Sequence, residues 1–222
     1  HMATYLGIAR ERIRVVLPGL NLKGHGAARE FRTEPPLTIG FFARICPEKG
    51  FHHLLEAYRL LRQKSECPPC RLKVSGWFGE NQRAYFAEHW QKLHAAGLGN
   101  EIEHVECPTL ADKIRFFQSL DVLSVPTVYR EPKGLYLLEA WANGVPVVQP
   151  AHGSFPELVQ ATGGGLLVEP DSPAALADGL LQLLTNHARR REMSEQGQRT
   201  VQEKFTAEQM ARNTLTLLQE KW

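Results

Sequence analysis

Residues 130–148 read Arg130-Glu131-Pro132-Lys133-Gly134-Leu135-Tyr136-Leu137-Leu138-Glu139-Ala140-Trp141-Ala142-Asn143-Gly144-Val145-Pro146-Val147-Val148, and they decide the fold. The stretch begins in a loop and becomes a helix near Gly134. That helix stops at Asn143-Gly144, a pair suited to closing helices, and a buried strand follows from Pro146. Two acids, Glu131 and Glu139, bracket seven residues. Glu131 precedes the helix. Glu139 lies inside it, on the apolar side with Leu135, Leu138 and Ala142. A carboxylate there is costly unless something pairs with it, so Glu139 calls for a partner.

Working outward, the same alternation recurs. Upstream, Leu37 to Arg44 is a continuous apolar run ending in a charge, as buried parallel strands read. Ile45 to Gly50 is a turn, and a helix is predicted from Phe51 to Gln63 with Leu54, Leu55, Tyr58 and Leu61 on one side. Strands follow at Arg71–Ser75, Ile102–Glu106 and Val122–Pro126. Helices fall between them at Gln82–His94 and Leu110–Ser119. Downstream, Glu157 sits in the first turn of a short helix, where the helix dipole favours an acid. Thr162-Gly163-Gly164-Gly165 is a turn, because it follows a helix and precedes the strand Leu166–Val168, the reverse of a phosphate loop. Asp171 is expected to cap a helix over Ser172–Leu184, and two more helices run from Ala188 to Lys204 and from Thr206 to the end. Near the start, Tyr5–Glu11 reads as the end of a helix, Ile13–Leu17 as a short strand and Lys23–Pro36 as a loop. This alternation calls for an α/β fold, a Rossmann-like parallel sheet with helices on both faces.

The chain has 222 residues, enough for one large domain with a full core. Lys and Arg number 26 against 24 Asp and Glu, a net charge of +2 with the signs interspersed, so no nucleic-acid footprint is implied. Arg189-Arg190-Arg191 is expected to be a solvated helix face. No apolar stretch reaches membrane-spanning length, no signal peptide is recognisable, and His1-Met2 resembles a cloning scar. Of four cysteines, Cys67-Pro68-Pro69-Cys70 has C-x-x-C spacing without the second pair a zinc site needs. It reads first as a stiff connector between a helix and a strand, and second as a labile disulfide. A reducing cytoplasm fits this cysteine usage, with the inner membrane surface as a second setting for the full-length protein. Arg44 and Lys49, two cations at the C-terminal end of a strand beside a helix N-terminus, read equally as a phosphate site or as a surface Arg and Lys on a turn.

The 130–148 stretch resembles the E-x7-E motif of retaining glycosyltransferases of the GT-B fold, in particular the GT4 (group 1) family, where the text is roughly E-x-F-G-x-x-x-x-E-A-x-A-x-G-x-P-V-V. It departs at Pro132-Lys133, where the family commonly has an aromatic residue before the glycine. Phe42-Ala43-Arg44-Ile45-Cys46-Pro47-Glu48-Lys49-Gly50 is similar to the family's G-R-[L/I]-x-P-x-K-G element, with Ala43 in place of the first glycine. Leu17-Pro18-Gly19-Leu20-Asn21 resembles the segment that enters the second domain, and Ala151–Leu158 the G-G-x-P-E turn.

The resemblance implies the second, C-terminal and donor-binding domain of a GT-B enzyme. Residues 1–12 would be scar and linker helix, 13–205 the nucleotide-sugar-binding domain, and 206–222 a helix crossing to an N-terminal domain. It implies that Arg44 and Lys49 hold the donor diphosphate, Glu131 contacts the transferred sugar and Glu139 accepts from the ribose hydroxyls. Gly134 and Leu135 would open the helix against the phosphates, with Lys133 nearby. Cys107 would lie in the loop over the base and Gly19 at the domain entry, while Lys113 would lie beside the nucleotide or, as readily, be an ordinary exposed helix lysine. No cofactor is expected beyond a UDP- or GDP-sugar as donor substrate. No metal is implied, since the four aspartates (Asp112, Asp121, Asp171, Asp178) form no Asp-x-Asp motif. The acceptor, a glycan, lipid or small molecule, would be read by the N-terminal domain. The chain is therefore expected to be a truncated half that binds donor weakly and transfers little sugar alone. The alternative is a non-catalytic nucleotide- or anion-binding module used in assembly or regulation.

Overall fold

The computed structural model describes residues 2–26 and 30–219. His1, part of the 23–36 loop and the end of the last helix lie outside the described residues. Six strands form one sheet: β1 (Leu37–Phe42), β2 (Cys70–Ser75), β3 (Ile102–His104), β4 (Val122–Leu123), β5 (Val147–Pro150) and β6 (Gly165–Val168). Their order is β3-β2-β1-β4-β5-β6 and every pairing is parallel. The chain builds outward from β1 to one edge, then returns to the other side of β1 and builds to the opposite edge. This reversal between β1 and β4 opens a crevice above the carboxyl ends of those two strands.

Helices α1 (Met2–Leu6), α2 (Phe51–Leu61), α3 (Arg83–Ala95), α4 (Leu110–Gln118), α5 (Leu135–Ala142), α6 (Phe155–Thr162), α7 (Pro173–Thr185), α8 (His187–Lys204) and α9 (Ala207–Gln219) complete the chain. Leu54, Leu55, Tyr58 and Leu61 of α2 are buried, so the expected apolar side faces the core. Helix α4 starts with a reciprocal cap: the Thr109 hydroxyl accepts from the Asp112 N–H and the Asp112 carboxylate accepts from the Thr109 N–H, both 3.1 Å.

Several expectations are corrected. Ile13–Leu17 forms no strand. Val15 is 78% exposed, and the first pairing downstream is a single bridge between Leu20 and Thr206, so among the described residues the segment joins no sheet. Strand β4 is two residues long rather than five. Beyond it the buried Gln149 amide replaces the ladder, its NH2 donating to the Val125 carbonyl (2.8 Å) and its oxygen accepting from the Val125 N–H (3.2 Å). Ser172, not Asp171, caps α7, its hydroxyl accepting from the Ala175 N–H at 3.2 Å, while Asp171 takes a left-handed φ of 54°. Arg190 is not on a solvated face. It is fully buried and donates to the carbonyls of Leu183 (3.0 Å) and Arg32 (2.6 Å), because α8 packs on α7. Burial lowers its pKa from the ordinary arginine value.

Candidate donor site at the strand crossover

The loops after β1 and β4 meet in the crevice. After β1 the chain makes one tight helical turn at Pro47–Lys49 and enters α2 through Gly50. A Cβ on Gly50 would stand 1.7 Å from the Pro126 carbonyl oxygen, at a φ of 68°. Only glycine lets the two loops approach this closely. The Val128 N–H donates to the Glu48 carbonyl at 3.0 Å and fixes the approach.

This contact brings Lys49 against Glu131, 82 positions later. The ammonium donates to Glu131 Oε2 at 2.5 Å and to the Tyr129 hydroxyl at 2.6 Å, and Tyr129 donates to the same Oε2 at 2.7 Å. Tyr136 adds a longer hydroxyl contact to Oε2 (3.4 Å), and the ammonium lies 5.0 and 5.4 Å from the Tyr129 and Tyr136 ring centres. The N–H groups of Lys133 and Gly134 point at Oε1, 3.3 and 3.4 Å away. Both charged side chains are largely buried, 12% and 7% exposed. Burial opposes both charges, but hydrogen bonds outweigh it. The Lys49 and Tyr129 donors hold Glu131 below the ordinary carboxylate range, while Glu131 and Tyr129 raise Lys49.

Glu139 has the partner that its position demanded: Lys113 of α4 donates to it at 2.6 Å, with the side chains 25% and 13% exposed. Leu135 does not share its buried side, being 42% exposed at the mouth of the crevice. Arg44, exposed, lines the same hollow of about 320 Å³ with Lys49, Leu135 and Glu139. A second hollow of about 570 Å³ shares Phe42, Gly76 and Trp77 with the first and extends to Glu106, Cys107 and Pro108. Together they make one elongated groove, cationic at the β1 end, with an acid on the α5 wall.

A profile of the glycosyl transferases group 1 family matches residues 27–200. The chain belongs to that family. It is 31% identical over 199 residues to a D-inositol 3-phosphate glycosyltransferase of Corynebacterium urealyticum, covering 84% of this chain and 46% of that protein. It is 24% identical to spore coat protein SA of Bacillus subtilis, covering 94% and 59%. The chain thus spans roughly half the length of the curated relatives it matches. Among solved structures, the C-terminal domain of a group 1 glycosyl transferase (LpcC) from Francisella tularensis superposes with a TM-score of 0.75 at 24% identity, covering 85% of this chain and all of that one. Anabaena Alr3699/HepE in complex with UDP and glucose gives a TM-score of 0.82 at 21% identity, covering 98% and 60%. The fold is that of the C-terminal domain of GT-B glycosyltransferases.

Within this group 1 glycosyltransferase fold, Arg44, Lys49, Glu131, Gly134, Leu135, Glu139 and Lys113 gather at the crossover, and Cys107 lines the adjoining hollow. Gly134 precedes the helix in a left-handed conformation as its N-cap. Lys133 lends its N–H to Glu131 while its side chain is exposed. Gly19 is not among the groove-lining residues. It packs on α9, where a Cβ would stand 2.4 Å from the Thr206 carbonyl oxygen, and its N–H faces the Met210 sulfur at 3.3 Å. The sequence reading missed Tyr129 and Tyr136, which clamp the Lys49–Glu131 pair, and Trp77, 71% exposed at the junction of the two hollows. It also missed His25, whose ring bonds to the Asn143 amide (2.9 Å) and whose pKa is lowered, chiefly by burial. An aromatic residue beside an acid carries no signal of its own, and His25 lies in a segment without periodicity.

Proposed function

We propose that this chain binds the donor of a retaining glycosyl transfer, a nucleotide-diphosphate sugar, in the groove above β1 and β4. The observation that carries the reading is the convergence of Lys49, Arg44, Glu131 and Glu139 from separate loops and a helix on one crevice. In the reaction, the bond between the anomeric carbon and the phosphate oxygen breaks and its electron pair leaves with the diphosphate. Arg44 and Lys49 take up that negative charge as hydrogen-bond donors. This is work that a divalent ion would otherwise do, and the proposal needs no metal. As Lys49 turns to phosphate, Glu131 loses part of its counter-charge. It becomes available to orient the sugar and to favour positive charge at the anomeric carbon. Glu139, kept in place by Lys113, accepts from the ribose hydroxyls, and the hollow reaching Cys107 takes the base. A UDP-sugar or GDP-sugar is the expected donor. The Anabaena protein that shares this fold is complexed with UDP and glucose, which favours uridine. Transfer to a glycan, lipid or small-molecule acceptor is assigned to the whole protein, with little turnover by this chain alone.

Calorimetric titration with UDP, GDP, ADP and their sugars tests the reading, with and without magnesium. Selective metal-independent binding of one nucleotide, lost in Lys49→Ala and in Glu139→Ala, is the expected result. Binding that survives both substitutions would place the nucleotide elsewhere and sink the proposal. Binding of simple anions without nucleotide preference would favour the assembly or regulatory module.

A further inference from the structure

The Cys67–Cys70 pair stands at the other end of the sheet. Cys70 opens β2, so it lies at the amino ends of the strands, and the donor groove lies above their carboxyl ends. The two sulfurs are 3.9 Å apart, held by a two-proline bridge. Cys67 is half-buried and Cys70 is only 3% exposed, so Cys67 is the more accessible residue of the pair and Cys70 the sheltered one. Arg62 at the end of α2 points its Nη1 at the Cys67 sulfur (3.7 Å). That guanidinium is itself fixed by a two-point pair with Glu101, 2.7 and 3.0 Å, and Glu101 also accepts from the Tyr58 hydroxyl at 2.8 Å. The same hydroxyl contacts the Cys70 carbonyl at 2.9 Å. A positioned cation, an accessible sulfur and a sheltered second sulfur are what thiol–disulfide exchange requires.

We propose that Cys67 and Cys70 form a redox-active dithiol that exchanges with small-molecule disulfides, Cys67 attacking and Cys70 resolving. The Cys67 thiolate attacks one sulfur of the disulfide and expels one thiolate, leaving a mixed disulfide on Cys67. Cys70 gives its proton to solvent, attacks the Cys67 sulfur and expels the second thiolate. Two protein thiols are oxidised to one disulfide, and the small-molecule disulfide is reduced to two thiols. The hydrogen bond from the Cys70 thiol lowers the Cys67 pKa, burial opposes it, and Arg62 adds to the lowering. Cys70 is shifted up by giving that bond and by burial. The sulfur poised to attack therefore belongs to the more accessible residue.

The test is incubation of the folded chain with oxidised glutathione at pH 7, acid quenching and peptide mass mapping. The expected product is a 67–70 cross-linked peptide lighter by two hydrogens, formed before any adduct at Cys46 or Cys107. Cys70→Ser should stop at a stable glutathione adduct on Cys67, and Cys67→Ser should leave Cys70 unmodified. An adduct that accumulates on Cys67 of the unsubstituted chain without closing would overturn the proposal. So would first reaction at Cys46 or Cys107, and both readings come from the unsubstituted chain even if a variant folds poorly. Arg62→Met should shift the pH profile of Cys67 alkylation upward and slow it several-fold near pH 6.5. An unmoved profile would remove Arg62 from the mechanism. Nucleotide binding is expected to be the same in oxidised and reduced chains, so this inference stands apart from the donor-site proposal.

Discussion

Replacing Lys49 by methionine keeps most of the side-chain length and removes the charge that faces Glu131. Breaking a buried ion pair by deleting one partner costs about 3–5 kcal/mol, because the other charge is left uncompensated. An exposed pair costs at most about 1 kcal/mol. With the two side chains 12% and 7% exposed, this pair lies near the buried limit. Glu131 would keep the Tyr129 hydroxyl at 2.7 Å and two long backbone contacts, which offset part of the loss. The expected destabilisation of Lys49→Met is therefore about 2–4 kcal/mol at pH 7. Its pH dependence follows from the direction of the Glu131 shift. In the unsubstituted chain the carboxyl is held below its ordinary value, so its contribution is present above about pH 4.3 and is lost as pH falls through the lower folded value. In the variant, burial without a cation pushes the same carboxyl up, and protonation relieves the strain as the solution is acidified. The gap between the two proteins should be widest at neutral pH and shrink towards pH 4. Urea unfolding of the unsubstituted chain, Lys49→Met, Glu131→Gln and the double variant, each at both pH values, measures the gap and the coupling. A neutral-pH loss under about 0.5 kcal/mol would show that the pair behaves as a solvated one. A loss that does not change with pH would assign the effect to packing rather than charge.

Gly50→Ala places a methyl group 1.7 Å from the Pro126 carbonyl at a left-handed φ. It should cost about 2–4 kcal/mol in thermal or urea unfolding, and a loss within about 0.5 kcal/mol would contradict the close approach of the two loops. His52 is pushed down to about 4, first by burial and then by the charges of His53 and His89. Its neutral form is the folded one, so stability is fully present above about pH 6.5 and is lost as pH falls towards 4. Discounted for solvent access, the loss is about 1–3 kcal/mol, and His52→Gln should flatten the pH-stability curve over that window. Glu139→Gln keeps a side-chain oxygen but gives up the charge that Lys113 fixes. Calorimetry should find nucleotide binding weakened about tenfold, and unchanged affinity would remove Glu139 from the site.

Where the sequence was legible, burial on both faces made it so. Leu37–Phe42 has no polar face, so it reads as a central parallel strand, and the structure buries five of its six residues. The cap at Asn143-Gly144 and the Gly163 turn were equally readable, because left-handed glycine conformations close α5 and α6 there. The errors arose where a neighbour decides. Ile13–Leu17 has the β-branched residues of a strand but, among the described residues, no strand beside it. Val125 lies in an apolar run, yet its backbone groups bond to the Gln149 side chain, and no local pattern announces that substitution. Arg190 sits in a run of three arginines, where charge count alone suggests solvent. The carbonyls of Leu183 and Arg32 take it inside.

The candidate site divides along the same line. Its acids and cations were visible as residue types at element ends, but their partners were not, because Lys49 and Glu131 lie 82 positions apart and Lys113 and Glu139 lie 26 apart. What joins them is strand order. In a sheet that reverses at β1, the strand on the far side of β1 is β4, whatever the chain did in between. The loop after β1 must then face the loop after β4, and a lysine ending one meets an acid ending the other. The acid placed inside the helix that follows β4 takes its counter-charge from the helix that precedes β4. Two ion pairs thus follow from one topological reversal. They leave the groove with a cation at its β1 end tied to a carboxylate, so any anion taken up there would have to displace that carboxylate.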